Sequence, residues 1–398
     1  MATTKVSGEL VDLNESTSES GLKMPSGTEL NRPTPVAGQI RNNTNETSEG
    51  SASCIEYYKS GAWQKINNAT VPPVGTENFN TVLYSGNSST QNITGVGFQP
   101  DWVWIKERGP LAEQSNLYDS TRGVQKFIVS NSSAAEVTGS ANRLNAFGSD
   151  GFTVGSDNEI NDSGSTYVAW CWKANAGTTS SNTDGSITST VQANTDAGFS
   201  IVQWTGTGSS GTIGHGLNSA PEILILKDTT VAYNWYVFTT ATGSNIRFEG
   251  LNNTSSSTSA SSQMTSSTTL IENVPSTASL NTSGSAMLIY AFHSVDGYSK
   301  FGSYTGTGAS GNLVSTGFEP AWIMIKRVDS TGGWLMFDNK RNTSNPRNNR
   351  IEANSNQAEQ TGSATKFVDF DATSFEPQIS DSEINATGGT YLYLAFSS

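Results

Sequence analysis

The chain has 398 residues, enough for two or three ordinary domains and too many for one small stapled module. Charged residues make up only 14% and leave a net charge of -13, so the polar surface has to come from Ser, Thr, Asn and Gly, and so acidic a chain is a poor match to a phosphate backbone. An aromatic content of 9%, including 9 Trp, supplies a core that a disordered chain lacks.

From the N-terminus, Met1-Ala2-Thr3-Thr4-Lys5 leads into no apolar run, and no stretch approaches the roughly 20 apolar residues of a membrane-spanning helix. Neither a cleaved secretion signal nor membrane insertion is expected. Residues 1–70 differ from everything after them. They are polar and weakly patterned to Glu29, then turn through Arg32-Pro33-Thr34-Pro35 into Gln39-Ile40-Arg41-Asn42, followed by Cys54-Ile55-Glu56-Tyr57-Tyr58-Lys59, Ser60-Gly61 and Ala62-Trp63-Gln64-Lys65-Ile66. This reads as a small antiparallel unit with a Gly-containing hairpin turn. It holds too few apolar residues to stand comfortably alone, so other chains are expected to stabilise it.

The remainder is one pattern written three times. The copies begin near Phe79, Phe199 and Phe301, with Tyr84-Ser85-Gly86, Trp204-Thr205-Gly206 and Tyr304-Thr305-Gly306 as the first mark. A Gly-to-Pro segment follows, Gly97-Phe98-Gln99-Pro100 in copy one, Gly216 to Pro221 in copy two and Gly317-Phe318-Glu319-Pro320 in copy three. Next come Trp102-Val103-Trp104-Ile105-Lys106, Ile223-Leu224-Ile225-Leu226-Lys227 and Trp322-Ile323-Met324-Ile325-Lys326, apolar on both alternating faces, as in a strand packed on both sides. The closing Lys is expected to snorkel at the strand's wet end. Each copy ends with an Asn- and Gly-containing turn, at Asn161 to Gly164, Asn281 to Gly284 and Asn385 to Gly388, and a second apolar strand. Cys171, Ala291 and Ala395 share one position in that strand, which makes Cys171 a core residue rather than a redox group; with Cys54 it is too little for a disulfide framework.

Helix signals are scarce, and the predicted class is all-β: tandem antiparallel β-sandwich domains, jelly-roll-like, after the small N-terminal segment. The expected divisions are 1–70, an attachment and oligomerisation segment; 71–175, repeat one; 176–196, a flexible tether or a bridging strand; 197–296, repeat two; and 297–398, repeat three. Residues 254–269, dominated by Ser and Thr, are expected to form a long exposed loop.

With those residues in view, the chain resembles virion proteins of tailed bacteriophages. The runs Gly97 to Lys106, Thr166 to Trp172, Gly297 to Gly306 and Gly389 to Phe396 are similar to a module of phage tail-fibre-like and other structural proteins, over roughly residues 79–398. The head segment resembles short β-rich units of phage fibres that attach to the particle and assemble as trimers. The resemblance implies a non-enzymatic tail fibre or appendage in the virion, assembled in the host cytoplasm. It implies self-association as a homotrimer, contact with other virion proteins through the N-terminus, and attachment to a host-surface glycan or outer-membrane protein. A capsid decoration, head-fibre or tail-connector protein is the alternative, and a polysaccharide depolymerase a more distant one.

No catalytic, cofactor or metal site is assigned from the residues. Glycoside hydrolysis needs two carboxylates about 5 or 6.5–9.5 Å apart, and the 35 acidic residues show no local pattern that selects a pair. His215 and His293 are too few for a multi-histidine zinc site. Ser149-Asp150-Gly151 and Ser156-Asp157-Asn158 suit turns better than calcium. The Gly-rich strings at 206–211 and 306–311 lack a phosphate-anchoring Lys, and no Ser has a nucleophile-elbow context. Asp119 and Asp338 sit at equivalent places with Arg122 and Arg341 three residues on, where copy two has Thr239. Lys106 and Lys326 are expected to meet those carboxylates in strand-end ion pairs, a structural role.

Overall fold

A computed structural model describes residues 79–139, 141–259 and 263–397, the helix Gly75–Asn78, and four strands nearer the N-terminus. Those four, Ser26–Gly27, Ile40–Asn43, Cys54–Lys59 and Ala62–Lys65, form one sheet in that order within the compact unit Met1–Val71. The last two pair antiparallel with Lys59 opposite Ala62, and the shortest strand pairs parallel with Ile40–Asn43. The turn expected at Ser60-Gly61 lies outside the described residues.

Residues 72–398 form the second compact unit, and its described residues are all β apart from two single-turn helices. Each copy is a two-layer sandwich. In copy one a five-stranded sheet runs Phe79–Ser85, Thr166–Trp172, Trp102–Glu107, Asn116–Asp119, Ile128–Val129 and faces a three-stranded sheet of Leu144–Gly148, Gly151–Val154 and Gln91–Thr94. Copy three repeats this order from Ser299–Thr305 to Ile351–Glu352, opposite Val314–Ser315, Ser374–Pro377 and Val368–Asp371. Copy two widens the large sheet to eight strands.

The strand alternation places two different cores on the two faces of each large sheet. Val103 and Ile105 point into the copy-one sandwich with Phe152, Val154 and Cys171; Leu224 and Leu226, and Ile323 and Ile325, do the same in the other copies. The alternate residues Trp102, Trp104, Ile223, Ile225, Trp322 and Met324 all belong to one central cluster shared by the three copies. Aromatic side chains tie it together: Trp102 stacks on Tyr290 at 4.3 Å between ring centroids, Phe79 on Phe396 at 5.3 Å, and Trp172 meets Trp322 edge-on at 5.7 Å. Copies that read in the sequence as successive domains therefore share one core.

The segment 176–196 adds strands to the copy-two sheet, and its Asn194 side chain donates back to Asn78 Oδ1 and to the Lys173 carbonyl of copy one. Ser180–Asn182 and Ser189–Asn194 form a hairpin, and the second strand pairs along Phe199–Thr205, with Thr190 opposite Gln203. The expected long loop at 254–269 is corrected. It contains the short strands Ser257–Thr258 and Thr265–Ser266, and Gln263 and Met264 are buried.

The repeated marks acquire physical reasons. Asn161, Asn281 and Asn385 are fully buried. Each accepts a backbone N–H from the loop after the first strand, at Asn87, Thr207 and Thr307, with 2.9–3.0 Å separations. The turn comes so close to that loop that a Cβ on Gly86, Gly206 or Gly306 would lie 2.0–2.2 Å from a carbonyl oxygen, which only glycine avoids. Gly164, Gly284 and Gly388 close the turns at φ +92°, +77° and +75°, in the left-handed region. Asp101 accepts from the backbone N–H groups of Ala174, Ala176 and Gly177, pinning the crossover into copy two, and Glu222 accepts from Ser294 on the way into copy three. At the same position copy three has Ala321.

Candidate functional site

The chemistry-bearing residues singled out by their repetition lie in the seams between copies. Lys106, Lys227 and Lys326 follow the alternation that sends Trp102, Ile223 and Trp322 to the shared core, and all three are fully buried. Each ammonium donates to a carbonyl of its own copy: Glu113 at 2.8 Å, Tyr233 at 2.6 Å and Gly332 at 2.6 Å. Each also donates to a neighbouring copy: Lys106 to Asn356 at 3.1 Å, Lys227 to Ser133 at 2.9 Å, and Lys326 to Thr254 at 3.1 Å. The direction is cyclic, copy one onto three, three onto two and two onto one. Backbone bonds close the same ring, from Glu136 N to Thr229 O at 2.8 Å, Ser257 N to Val328 O at 3.0 Å and Glu359 N to Arg108 O at 3.1 Å. These are heterologous contacts that close after three steps, as in a cyclic trimer, here written on one chain.

The expected pairing of Lys106 and Lys326 with Asp119 and Asp338 is corrected: each carboxylate takes the arginine three residues on, Arg122 Nε and Arg341 Nε, both at 2.5 Å in buried pairs. The lysines leave the strand on the central face and meet carbonyls. Each carboxylate also accepts from a neighbouring copy: Asp119 from Tyr290 Oη at 2.7 Å, Asp338 from Trp170 Nε1 at 3.1 Å. Copy two has Thr239 in place of the acid, and copy three has Leu394 at the place of Trp170 and Tyr290, so the third seam lacks both acid and donor at these positions.

Burial pushes all three lysines down to about 8, against an ordinary value near 10.4. Between those values the unfolded chain holds protons that the folded chain has given up, so each lysine makes stability rise with pH across that window. Lys227→Met keeps the apolar stem but strands two buried carbonyls, for an expected loss of roughly 1–3 kcal/mol in urea unfolding at pH 7. The deficit relative to wild type should widen from pH 8 to pH 10, because the variant lacks the rising contribution. A deficit that shrinks over that range would contradict the burial of the ammonium.

Other residues weighed in the sequence have local duties. Asp150 accepts from Gly95 N and Gly97 N, which holds its carboxyl below the ordinary range. Asp157 caps the helix Asn158–Asn161 and pairs with Arg143 at 3.1 Å. His215 Nδ1 accepts from Leu217 N, and burial lowers its pKa. His293 Nδ1 lies 2.9 Å from its neighbour Ser294 O. The thiol of Cys171 is buried in the copy-one core, and burial pushes it up. Among the described residues no cluster of three or more His, Cys, Asp or Glu is arranged to hold a metal ion.

One seam opens outward. Between copies one and two lies a cleft of about 370 Å³, with Thr121, Lys126 and Glu136 on one side and Thr188, Thr190 and Gln203 on the other. Thr188 and Thr190 on the second wall belong to the hairpin, which among the described residues copies one and three lack. Glu136 is held by Arg122 Nη1 at 3.0 Å and by its backbone bond to Thr229. Sequence reasoning did not single out the cleft. Its two walls come from segments about fifty positions or more apart, and Lys126, Thr188, Thr190 and Gln203 belong to no repeated mark.

A family model described as a domain of unknown function, DUF7483, matches residues 74–398. The chain belongs to this family. The match covers all three copies and leaves out the whole N-terminal unit. No curated protein and no solved structure matches the chain.

Proposed function

We propose that this DUF7483 protein is a non-enzymatic structural component of a tailed-phage particle, a tail fibre or appendage. In this reading it docks through its N-terminal unit and presents the three-copy body to the host surface. The observation that carries the reading is where the repeated residues go. The buried lysines, the carboxylates of the Asp–Arg pairs and one face of the aromatic strands all reach across to neighbouring copies, which suits a rigid part that is assembled once and used outside a cell. The resemblance of the motif runs to phage structural modules supports the same assignment. The N-terminal segment is the proposed site of homotrimerisation and of contact with other virion proteins; the loops of the body are the proposed contacts with a host glycan or outer-membrane protein.

Phage particles in which residues 79–398 have been deleted from the protein are expected to assemble normally and to lose host adsorption. Unchanged adsorption would remove the attachment role. The low charge of 14% also suits a protein whose surface is buried against other virion proteins, since few ions would need desolvation. That favours the second reading, a capsid decoration, head-fibre or connector protein, and immunogold label on the capsid rather than the tail would select it.

A further inference from the structure

We infer that the cleft between copies one and two is a saccharide site, and that its ligand is an acidic sugar. The inference deepens the attachment reading by naming a ligand and a place for it.

Four side chains of the copy-two wall project polar groups that no other group in the described structure uses. Thr188 and Thr190 are exposed around the start of strand Ser189–Asn194, and Gln203 and Thr205 stand on the paired strand Phe199–Thr205, with Gln203 directly across from Thr190. The alternation of both strands sets them on one face, as a patch of three hydroxyls and an amide. A ligand with many hydroxyls is the chemistry that meets such a patch, because each sugar hydroxyl both donates and accepts. The volume of about 370 Å³ falls in the usual range for small-ligand sites, roughly 300–1,000 Å³.

The opposite wall selects the charge. Arg122 is fully committed, to Asp119, Glu136 and the Leu117 carbonyl. Lys126 is only partly buried and, among the described residues, has neither an ion pair nor a hydrogen-bonded partner. The residue before it, Gln125, holds φ +62°, a backbone state that costs a non-glycine residue energy and that clusters at binding sites. An unpaired cation lining the same cleft as the hydroxyl patch, beside a Glu136 carboxylate already held by Arg122, favours a ligand that brings its own carboxylate, and does so against the repulsion of a chain of net charge -13. A hexuronate or a sialic acid has both features: a carboxylate for Lys126 and ring hydroxyls for the Thr and Gln side chains.

The test is calorimetric titration of the full-length protein with oligogalacturonate, glucuronate-containing oligosaccharide and sialyllactose, with malto-oligosaccharide and inorganic phosphate as controls. At least one acidic sugar is expected to bind, at least tenfold tighter than malto-oligosaccharide and phosphate. Lys126→Met should weaken it at least tenfold, Lys126→Arg should restore most of the loss, and the Thr190→Ala, Gln203→Ala double variant should weaken it severalfold. All these positions are partly or fully exposed, so unchanged thermal unfolding checks that the variants fold. The inference is overturned if no acidic sugar binds, if phosphate binds as tightly as the sugars, or if Lys126→Met leaves affinity unchanged. The readout uses purified protein, so it can fail while deletion of the body still abolishes adsorption, and it can succeed on a protein located elsewhere in the particle.

Discussion

A chain ending after residue 298, with copies one and two complete and copy three removed, is expected to show no cooperative unfolding transition, rather than two-thirds of a stable protein. Copy three covers five large aromatic side chains of its neighbours. Phe79 and Trp172 meet Trp322 and Phe396. Phe292 meets Phe301 and Phe396, Phe248 packs edge-on against Trp334 at 5.0 Å, and Trp170 reaches Asp338. Uncovering a large apolar side chain costs roughly 1.5–3 kcal/mol, so five amount to roughly 8–15 kcal/mol. That is as much as the whole stability of an ordinary domain, about 5–15 kcal/mol. Thr254 and Val328 mark a further loss, since the ring of lysine and backbone bonds is left open at two of its three seams. Circular dichroism through thermal unfolding, with sedimentation to detect aggregation, reads the outcome. A soluble two-copy fragment melting in one sharp step near the intact protein would show that the shared core is dispensable. Deleting residues 1–71 should instead leave the transition of the body in place, because residues 72–398 form a compact unit of their own.

Arg341→Met is expected to cost roughly 3–5 kcal/mol, the largest effect of any single substitution in the seams. Arg341 and Asp338 are both inaccessible to solvent. Removing the guanidinium leaves a carboxylate that still accepts from Trp170 Nε1 and two backbone N–H groups but has lost the one cation directly paired with it among the described residues. Breaking one side of a buried pair costs more than the pair itself contributes, because the remaining charge cannot reach water. It follows that Asp338→Thr added to Arg341→Met should recover most of the loss, since copy two already carries Thr239 and Thr242 at these two positions. Urea unfolding of the single and double variants measures both numbers. A single variant within 1 kcal/mol of wild type, or a double variant no better than the single, would contradict the argument.

The sequence itself held a clue that the lysines and the acids are not partners. Lysine closes the central strand in all three copies, whereas the acid is missing from copy two, so a lysine present without its supposed partner needs another role. Strand alternation then gives the direction: Lys106 shares the parity of Trp102 and Trp104, and whatever buries the tryptophans also buries the lysine. A strand apolar on both faces was legible as packed on both sides. What packed on its second side was not, because the covering residues belong to the other copies of the repeat.

The saccharide cleft shows the same boundary from the other side. Thr188, Thr190 and Gln203 are ordinary residues for a strand surface, and Lys126 is one of 22 basic residues in the chain. Only the pairing of the extra hairpin along Phe199–Thr205 and the closing of copy two against copy one bring them together.

By itself the sequence determined the all-β class, the threefold repetition, the central strands and the turns with their asparagines and glycines, because each is set by neighbours within a few residues: alternation, a backbone angle, a carbonyl too close for a Cβ. The tertiary structure decided the rest. Three sandwiches, each with one apolar sheet face left over, lower their free energy only by turning those faces on one another, and the order in which they close determines which lysine meets which carbonyl and which seam stays open to solvent.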